Sequence, residues 1–127
     1  MGESMIRDVG ALILFSHRVS AVVRFYEAIG LELQPERHED GPVHYVSELG
    51  PTHFAVFESP PGEAPEFKTG GSTFPGFTVD SLEDALSGAR SVGARVVQEP
   101  TPYPWGMRVL VVDPDGRVIE LFQRPKA

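Results

Sequence analysis

The same order of elements reads twice along this chain: a strand, a helix, then three strands. In the first copy, Gly10-Ala11-Leu12-Ile13-Leu14-Phe15 is an apolar run of strand length. Ser20 is placed to cap a helix, and Val22, Phe25, Tyr26 and Ile29 recur at helical spacing to give it one apolar face. Gly30 ends that helix, because glycine takes the left-handed conformation at low cost. A short strand is expected near Leu31 to Pro35 and a turn over His38 to Pro42. Val43 to Leu49 and Thr52 to Glu58 then form a strand pair around Gly50-Pro51.

The second copy opens with a strand over Ser72 to Val79, weakened by Pro75 and Gly76. Asp80 or Ser81 caps a helix whose apolar face is Leu82, Ala85, Leu86, Ala89 and Val92, and Gly93 ends it. Arg95 to Gln98 is the next strand, and Pro100 to Gly106 reads as a Pro-rich loop. Met107 to Val112 and Arg117 to Gln123 form a hairpin across Asp113-Pro114-Asp115-Gly116. Between the copies, Ser59 to Pro65 and Gly70-Gly71 have linker composition. The expected organisation is one α+β domain over 1–127, with βαβββ modules at 9–58 and 72–124 and a linker at 59–71. Glu58 and Glu120 then close the last strands of the two modules in matching places.

Composition narrows the function classes. The net charge is -7 and the Lys and Arg residues do not cluster, which argues against nucleic acid and favours neutral or cationic small ligands. With no cysteine, disulfides, thiolate metal sites and cysteine nucleophiles are excluded. No apolar run is long enough to span a bilayer, and Met1 to Asp8 lacks the apolar stretch of a signal peptide, so a cytoplasmic, non-membrane protein is expected.

Side chains alternate across a strand, so faces can be followed through the hairpins. If Glu58 faces the site, Val56 and Phe54 share its face. An even turn at Gly50-Pro51 adds Tyr45 and Ser47 to that face. Glu120 shares its face with Val118 and Phe122, and a four-residue turn at Asp113 to Gly116 adds Val109, Val111 and Met107. The expected surface is apolar with two carboxylates, each wanting a metal, a cation or a proton. His44 and His53 fall on the parity opposite to Glu58 and enter the site only if the register slips by one residue. His17 precedes the first helix and His38 lies in a turn.

Three segments carry a resemblance to a known family: Arg24-Phe25-Tyr26-Glu27-Ala28-Ile29-Gly30-Leu31, Pro104-Trp105-Gly106, and Asp113-Pro114-Asp115-Gly116-Arg117-Val118-Ile119-Glu120-Leu121. Over residues 9 to 124 the chain resembles the vicinal oxygen chelate superfamily, which groups glyoxalase I, bleomycin-resistance proteins and extradiol dioxygenases. The resemblance implies paired βαβββ modules whose sheets curve into a cup, with helices outside. It also implies four ligand positions in metal-dependent members, which fall here on Ala11, Glu58, Phe74 and Glu120. Alanine and phenylalanine donate no lone pair, so only part of a metal site remains, and catalysis by Zn²⁺, Ni²⁺ or Fe²⁺ lacks its usual ligand number.

The reading favoured by the sequence is a cofactor-free binding protein that sequesters a partly aromatic or cationic small molecule in an apolar cup. Its expected contacts are Phe15, Tyr45, Phe54, Phe74, Tyr103, Trp105, Met107, Val109 and Phe122. The alternative is a metal-dependent lyase, isomerase or dioxygenase that binds one divalent ion weakly through Glu58 and Glu120, with Glu120 as general base. A third reading is a module that serves only to dimerise. The family resemblance implies a homodimer, and the sequence does not choose between a cup within one chain and one shared by two.

Overall fold

The computed structural model describes Met5, Val9, residues 11–58 and residues 74–126. The linker expected at 59–71 and the first residues of the second module lie outside the described residues.

The elements follow the repeat. The first module contains β1 (Ala11–Ser16), α1 (Val19–Ala28), β2 (Gln34–Glu36), β3 (His44–Leu49) and β4 (Thr52–Glu58). The second contains β5 (Gly76–Thr78), α2 (Leu82–Ser91), β6 (Val96–Tyr103), β7 (Gly106–Val112) and β8 (Val118–Gln123). Strand order is β1-β4-β3-β2 in one sheet and β5-β8-β7-β6 in the other. In each sheet the first strand runs parallel to the last, and the remaining neighbours are antiparallel. The architecture is the expected α+β one, two βαβββ modules forming a cup, and each sheet carries its helix on one face and leaves the other helix-free.

Local chemistry explains most boundaries and corrects two. Gly30 and Gly93 close the helices at φ 116° and 77°, in the left-handed region that favours glycine. Ser81 caps α2 by accepting from the Asp84 N–H, and Glu83 and Asp84 place negative charge at the positive end of the helix dipole. Ser20, in contrast, lies inside α1 and does not cap it. That start is held instead by the buried Ser16, whose Oγ accepts from the Arg18 N–H at 2.8 Å. The stretch Pro100 to Tyr103 is strand rather than loop: Pro100 falls in a register shift between Gln98 and Thr101, and Pro102 sits on β6 as an edge strand, where a proline is tolerated.

The core fixes which face of each sheet carries the helix. Leu14, Phe54 and Val56 are buried and pack with Val22, Phe25 and Tyr26 of α1. Val109, Val111, Ile119 and Leu121 are buried in the same core, with Leu82, Ala85, Leu86 and Ala89 of α2. By alternation, Ala11, Ile13, Phe15, His44, Val46, Ala55 and Phe57 occupy the helix-free face of the first sheet. Gly76, Thr78, Arg108, Leu110, Glu120 and Phe122 occupy that of the second.

The modules meet through their helix-covered sides. The rings of Tyr26, Phe54 and Phe77 pack with centroids 5.2 to 6.0 Å apart. Helix α2 approaches α1 so closely that a Cβ on Gly88 would lie 1.7 Å from the Ala28 carbonyl oxygen. The hairpin turn between β7 and β8 completes the junction. Asp113 Oδ1 accepts from the N–H groups of Asp115 and Arg117, and Asp113 Oδ2 accepts from Tyr26 Oη at 2.8 Å and from Arg117 Nη1 at 3.0 Å. Asp115 accepts from Arg18 at 2.7 Å and from Arg117 at 3.1 Å, and Arg117 Nη2 donates to the Phe15 carbonyl at 2.8 Å. Asp113, Asp115 and Arg117 are buried, and burying charge is costly unless it is paired and hydrogen-bonded, as each is here. Burial, and then the nearby Asp113 carboxylate, push the Tyr26 hydroxyl well above its ordinary pKa.

Candidate functional site

Aligning the two helices, each closed by its glycine, makes Leu14 equivalent to Phe77. Strand pairing then makes Val56 equivalent to Leu121, Ala55 to Glu120 and Glu58 to Gln123. The two glutamates therefore do not occupy matching places. Glu58 is exposed at the end of β4, in register with Ser16 and on the parity of Phe54 and Val56. Glu120 lies on the helix-free face, half-buried.

Two register facts produce this correction. Tyr45 does pair with Val56 and Ser47 with Phe54, as the even turn predicts, but that face is the one α1 covers. Phe54 is therefore fully buried core, and Tyr45 packs against the core. In the second module, Val112 pairs with Val118 and Leu110 with Glu120, one residue away from the expected register. Asp113 pairs back to the Arg117 carbonyl, leaving the three-residue loop Pro114-Asp115-Gly116 with Gly116 at φ 91°. Loops of that length carry a left-handed residue at that position. A one-residue slip flips every side chain, so Val109 goes to the core and Met107 turns toward Leu82 and Leu86 of α2.

What stands on the helix-free face of the first sheet is a row across all four strands. Phe15 pairs with Phe57, the register carries Phe57 to His44, and His44 pairs with Glu36. The Phe15 and Phe57 rings lie 5.9 Å apart, and Phe57 stacks on His44 at 4.1 Å and 11°. Phe15 is 48% exposed and Ile13 beside it 37%, so the row opens onto an apolar surface. At its far end Glu36 Oε1 lies 2.9 Å from His38 Nε2 and 3.1 Å from His44 Nε2. The His44 hydrogen bond, more than the charge of His38, holds the Glu36 carboxyl below its usual pKa.

The helix-free face of the second sheet is polar at its centre. Arg108 lies 3.4 Å from Glu120 Oε2, and its Nη2 donates to Gln98 Oε1 at 3.1 Å and to Tyr103 Oη at 3.2 Å. Its guanidinium carbon sits 5.2 Å from the Tyr103 ring centroid, a cation–π distance. Arg108 Nε is buried with no partner among the described residues. Tyr103 stacks on Trp105 at 5.3 Å and 17°, and Trp105 is exposed. Phe122 pairs with Arg108, and Gly76 brings its backbone against Glu120, where a Cβ would lie 2.9 Å from Oε1. Phe74 stands exposed just before β5.

Of the residues the sequence proposed, Phe15, Tyr103, Trp105, Phe122, Phe74 and Glu120 are on or beside the helix-free faces, whereas Tyr45, Phe54, Met107, Val109 and Glu58 are not. Sequence reasoning missed Phe57, Arg108, Gln98 and Glu36. A three-residue reading of the Pro114-Asp115-Gly116 loop would have found Arg108. The ligand positions implied by the resemblance do not fit a metal: Ala11 and Phe74 offer no donor, and Glu58 and Glu120 stand on opposite sheet parities.

The sequence pattern of the Glyoxalase/Bleomycin resistance protein/Dioxygenase superfamily matches residues 9–121. No curated protein sequence matches the chain. Among solved structures, TnmS3 from Streptomyces sp. CB03234, described as an antibiotic binding protein, is 21% identical with a TM-score of 0.69, over 97% of this chain and 100% of its own. A glyoxalase-related enzyme from Fulvimarina pelagi is 21% identical with a TM-score of 0.71, over 94% of this chain and 90% of its own. TioX from Micromonospora sp. ML1 is 20% identical with a TM-score of 0.65, over 94% of this chain and 100% of its own. At these identities the structures share the fold, and the family match carries the assignment: the chain belongs to the Glyoxalase/Bleomycin resistance protein/Dioxygenase superfamily.

Proposed function

We propose that this chain is a small-molecule binding protein that holds a partly aromatic ligand against the helix-free faces of its sheets. The observation that carries this reading is the pairing of exposed rings with a half-buried polar group. On the second sheet the 64% exposed Trp105 stacks on Tyr103, and the Arg108 guanidinium lies over the same ring with its side chain still 29% exposed. Stacking surfaces with a few placed polar groups are what small-molecule sites use for affinity and orientation. That TnmS3 is described as an antibiotic binding protein supports the same class of function.

The geometry narrows the ligand. A cation seeking Glu120 has to compete with Arg108, already 3.4 Å from that carboxylate. A planar molecule carrying an oxygen acceptor suits the site better than a cation, since Arg108 then donates to it. The catalytic alternative through Glu58 and Glu120 loses support, because two carboxylates on opposite parities do not share one ion. A homodimer is the oligomeric state this reading favours, and sedimentation of the full chain measures it. Among the described residues, no helix is long and apolar enough to cross a membrane.

Trp105 is the only tryptophan, so its fluorescence reports directly on the site. Titration with polyaromatic antibiotics is expected to quench it and to raise the melting temperature, and Trp105→Ala should weaken binding measured by calorimetry. Absence of any binder, together with turnover of a metabolite, would overturn the proposal.

A further inference from the structure

We propose that Glu36, His38 and His44 form a site for a borderline divalent metal ion of the Zn²⁺ class at the edge of the first sheet. These residues are separate from the positions at which the family resemblance places ligands, Ala11, Glu58, Phe74 and Glu120. The inference does not depend on the organic ligand proposed above.

The donor set comes first. Two imidazoles and one carboxylate suit Zn²⁺, Co²⁺ or Ni²⁺, and suit Mg²⁺ or Ca²⁺ poorly, since those ions take oxygen ligands. One donor atom from each of the three residues lies within 4.8 Å of the others. Glu36 Oε1 is 2.9 Å from His38 Nε2 and 3.1 Å from His44 Nε2. Two ligands on a tetrahedral Zn²⁺ stand roughly 3.3 Å apart, given bond lengths of about 2.0 to 2.2 Å. Displacements of a few tenths of an ångström therefore let an ion replace the hydrogen bonds at the Glu36–His contacts.

The arrangement is also held in place. Glu36 and His44 are partners across β2 and β3, so the sheet sets their separation. His44 is only 3% exposed and stacks on Phe57, which fixes its ring plane. Its Nδ1 faces the Pro42 carbonyl at 3.3 Å. A hydrogen bond there leaves Nε2 as the nitrogen aimed at Glu36, the usual way a ligating histidine is oriented. His38 comes from a turn closed by the Gly41 N–H to its carbonyl at 2.8 Å, and Arg37 donates to the Gly41 carbonyl at 2.9 Å. An ordinary ion pair needs one histidine. Here two imidazoles direct the same nitrogen at one carboxylate oxygen, which is the convergence a metal requires. His38 is exposed, so the remaining coordination positions face solvent and are open to water or a donor atom of a small molecule.

The test uses the full chain with any affinity tag removed, stripped with chelator and titrated with Zn²⁺ or Co²⁺ alone. Calorimetry is expected to show one equivalent per chain, and Co²⁺ to develop the visible absorption of a low-coordinate site. His38→Ala and Glu36→Gln should each weaken binding at least about tenfold, the lower end of the loss seen even for groups that act behind a ligand. Both positions are accessible, and circular dichroism checks that the fold persists. Glu58→Gln and Glu120→Gln should leave the affinity unchanged. The proposal is overturned by absence of saturable binding for both ions, by affinity that survives His38→Ala and Glu36→Gln, or by affinity lost with Glu120→Gln instead.

Discussion

The hairpin of β7 and β8 treats charge in two opposite ways. At its turn, Asp113, Asp115 and Arg117 are buried and have every charged group matched to a partner. On its helix-free face, Arg108 and Glu120 are half-exposed, 3.4 Å apart, with Arg108 Nε unpartnered among the described residues. The turn belongs to the segment on which the family resemblance chiefly rests, and its side chains hold the two modules together. Arg108, whose Nε is unpartnered among the described residues, lies a few positions before that segment and outside any motif. A specific motif can thus mark what keeps a fold assembled, with function carried by the side chains beside it.

Breaking the turn should cost most. Asp113→Ala leaves Arg117 and Tyr26 buried without their shared acceptor, and removing one member of a buried ionic group costs about 3–5 kcal/mol. Urea denaturation should show that loss, and a value under about 1 kcal/mol, the range of exposed pairs, would erase the contrast between the turn and the helix-free face. Gly88→Ala comes next. An interior alanine gains about 1 kcal/mol of helix propensity over glycine. Its Cβ, however, would lie 1.7 Å from a backbone oxygen that cannot move cheaply, and overpacking of this kind costs about 1–3 kcal/mol or more. Net destabilisation is expected, and a stabilised variant would mean that the helices are not in that contact.

Tyr26→Phe should follow, losing about 1–3 kcal/mol because Asp113 keeps its charge and loses a donor. The variant carries a pH signature. The folded-state pKa of Tyr26 is raised, so its contribution is complete below the unfolded value and is lost as pH rises through the folded one. Wild-type stability should therefore fall above about pH 10, the unperturbed tyrosine value, and that part of the fall should vanish in Tyr26→Phe. Alkaline denaturation curves of the two proteins measure it.

Much of this contrast is legible in the sequence, and the part that is not has a physical cause. Helical spacing, Gly30, Gly93 and the Ser81 cap located both helices, and the even turn at Gly50-Pro51 gave the β3–β4 register. The face did not follow, because Phe54, Ala55, Val56 and Phe57 are all apolar and a period-two pattern vanishes when both faces are apolar. Only the position of α1 decides that Phe54 is core and Phe57 is not. In the second module the obstacle was one residue of turn length. Four residues look like the turn, but Asp113 pairs with Arg117, and the resulting slip exchanged Val109 for Arg108 at the site. The Glu36–His38–His44 group was hidden for a different reason, since it joins an edge strand, a turn and a central strand without forming a recognisable spacing.

The smallest effects should come from the helix-free faces, and they sharpen the contrast by being small. Arg108→Ala removes a half-exposed pair and a cation–π contact, each worth about 1 kcal/mol, while deleting the donor proposed to meet a ligand. Stability should change little and ligand affinity should fall, and the reverse result would make Arg108 a structural residue like Arg117. Glu36→Gln should be smaller still. The folded-state pKa of Glu36 is lowered, so its contribution is present above the unfolded value and is lost as pH falls through the folded one. Wild type should therefore lose a slight advantage over Glu36→Gln as pH drops below about 4.3, the unperturbed glutamate value. Paired acid titrations followed by circular dichroism compare them. Collapse of Glu36→Gln at neutral pH would show that the edge of the first sheet uses its carboxylate to hold the fold, as the buried turn does.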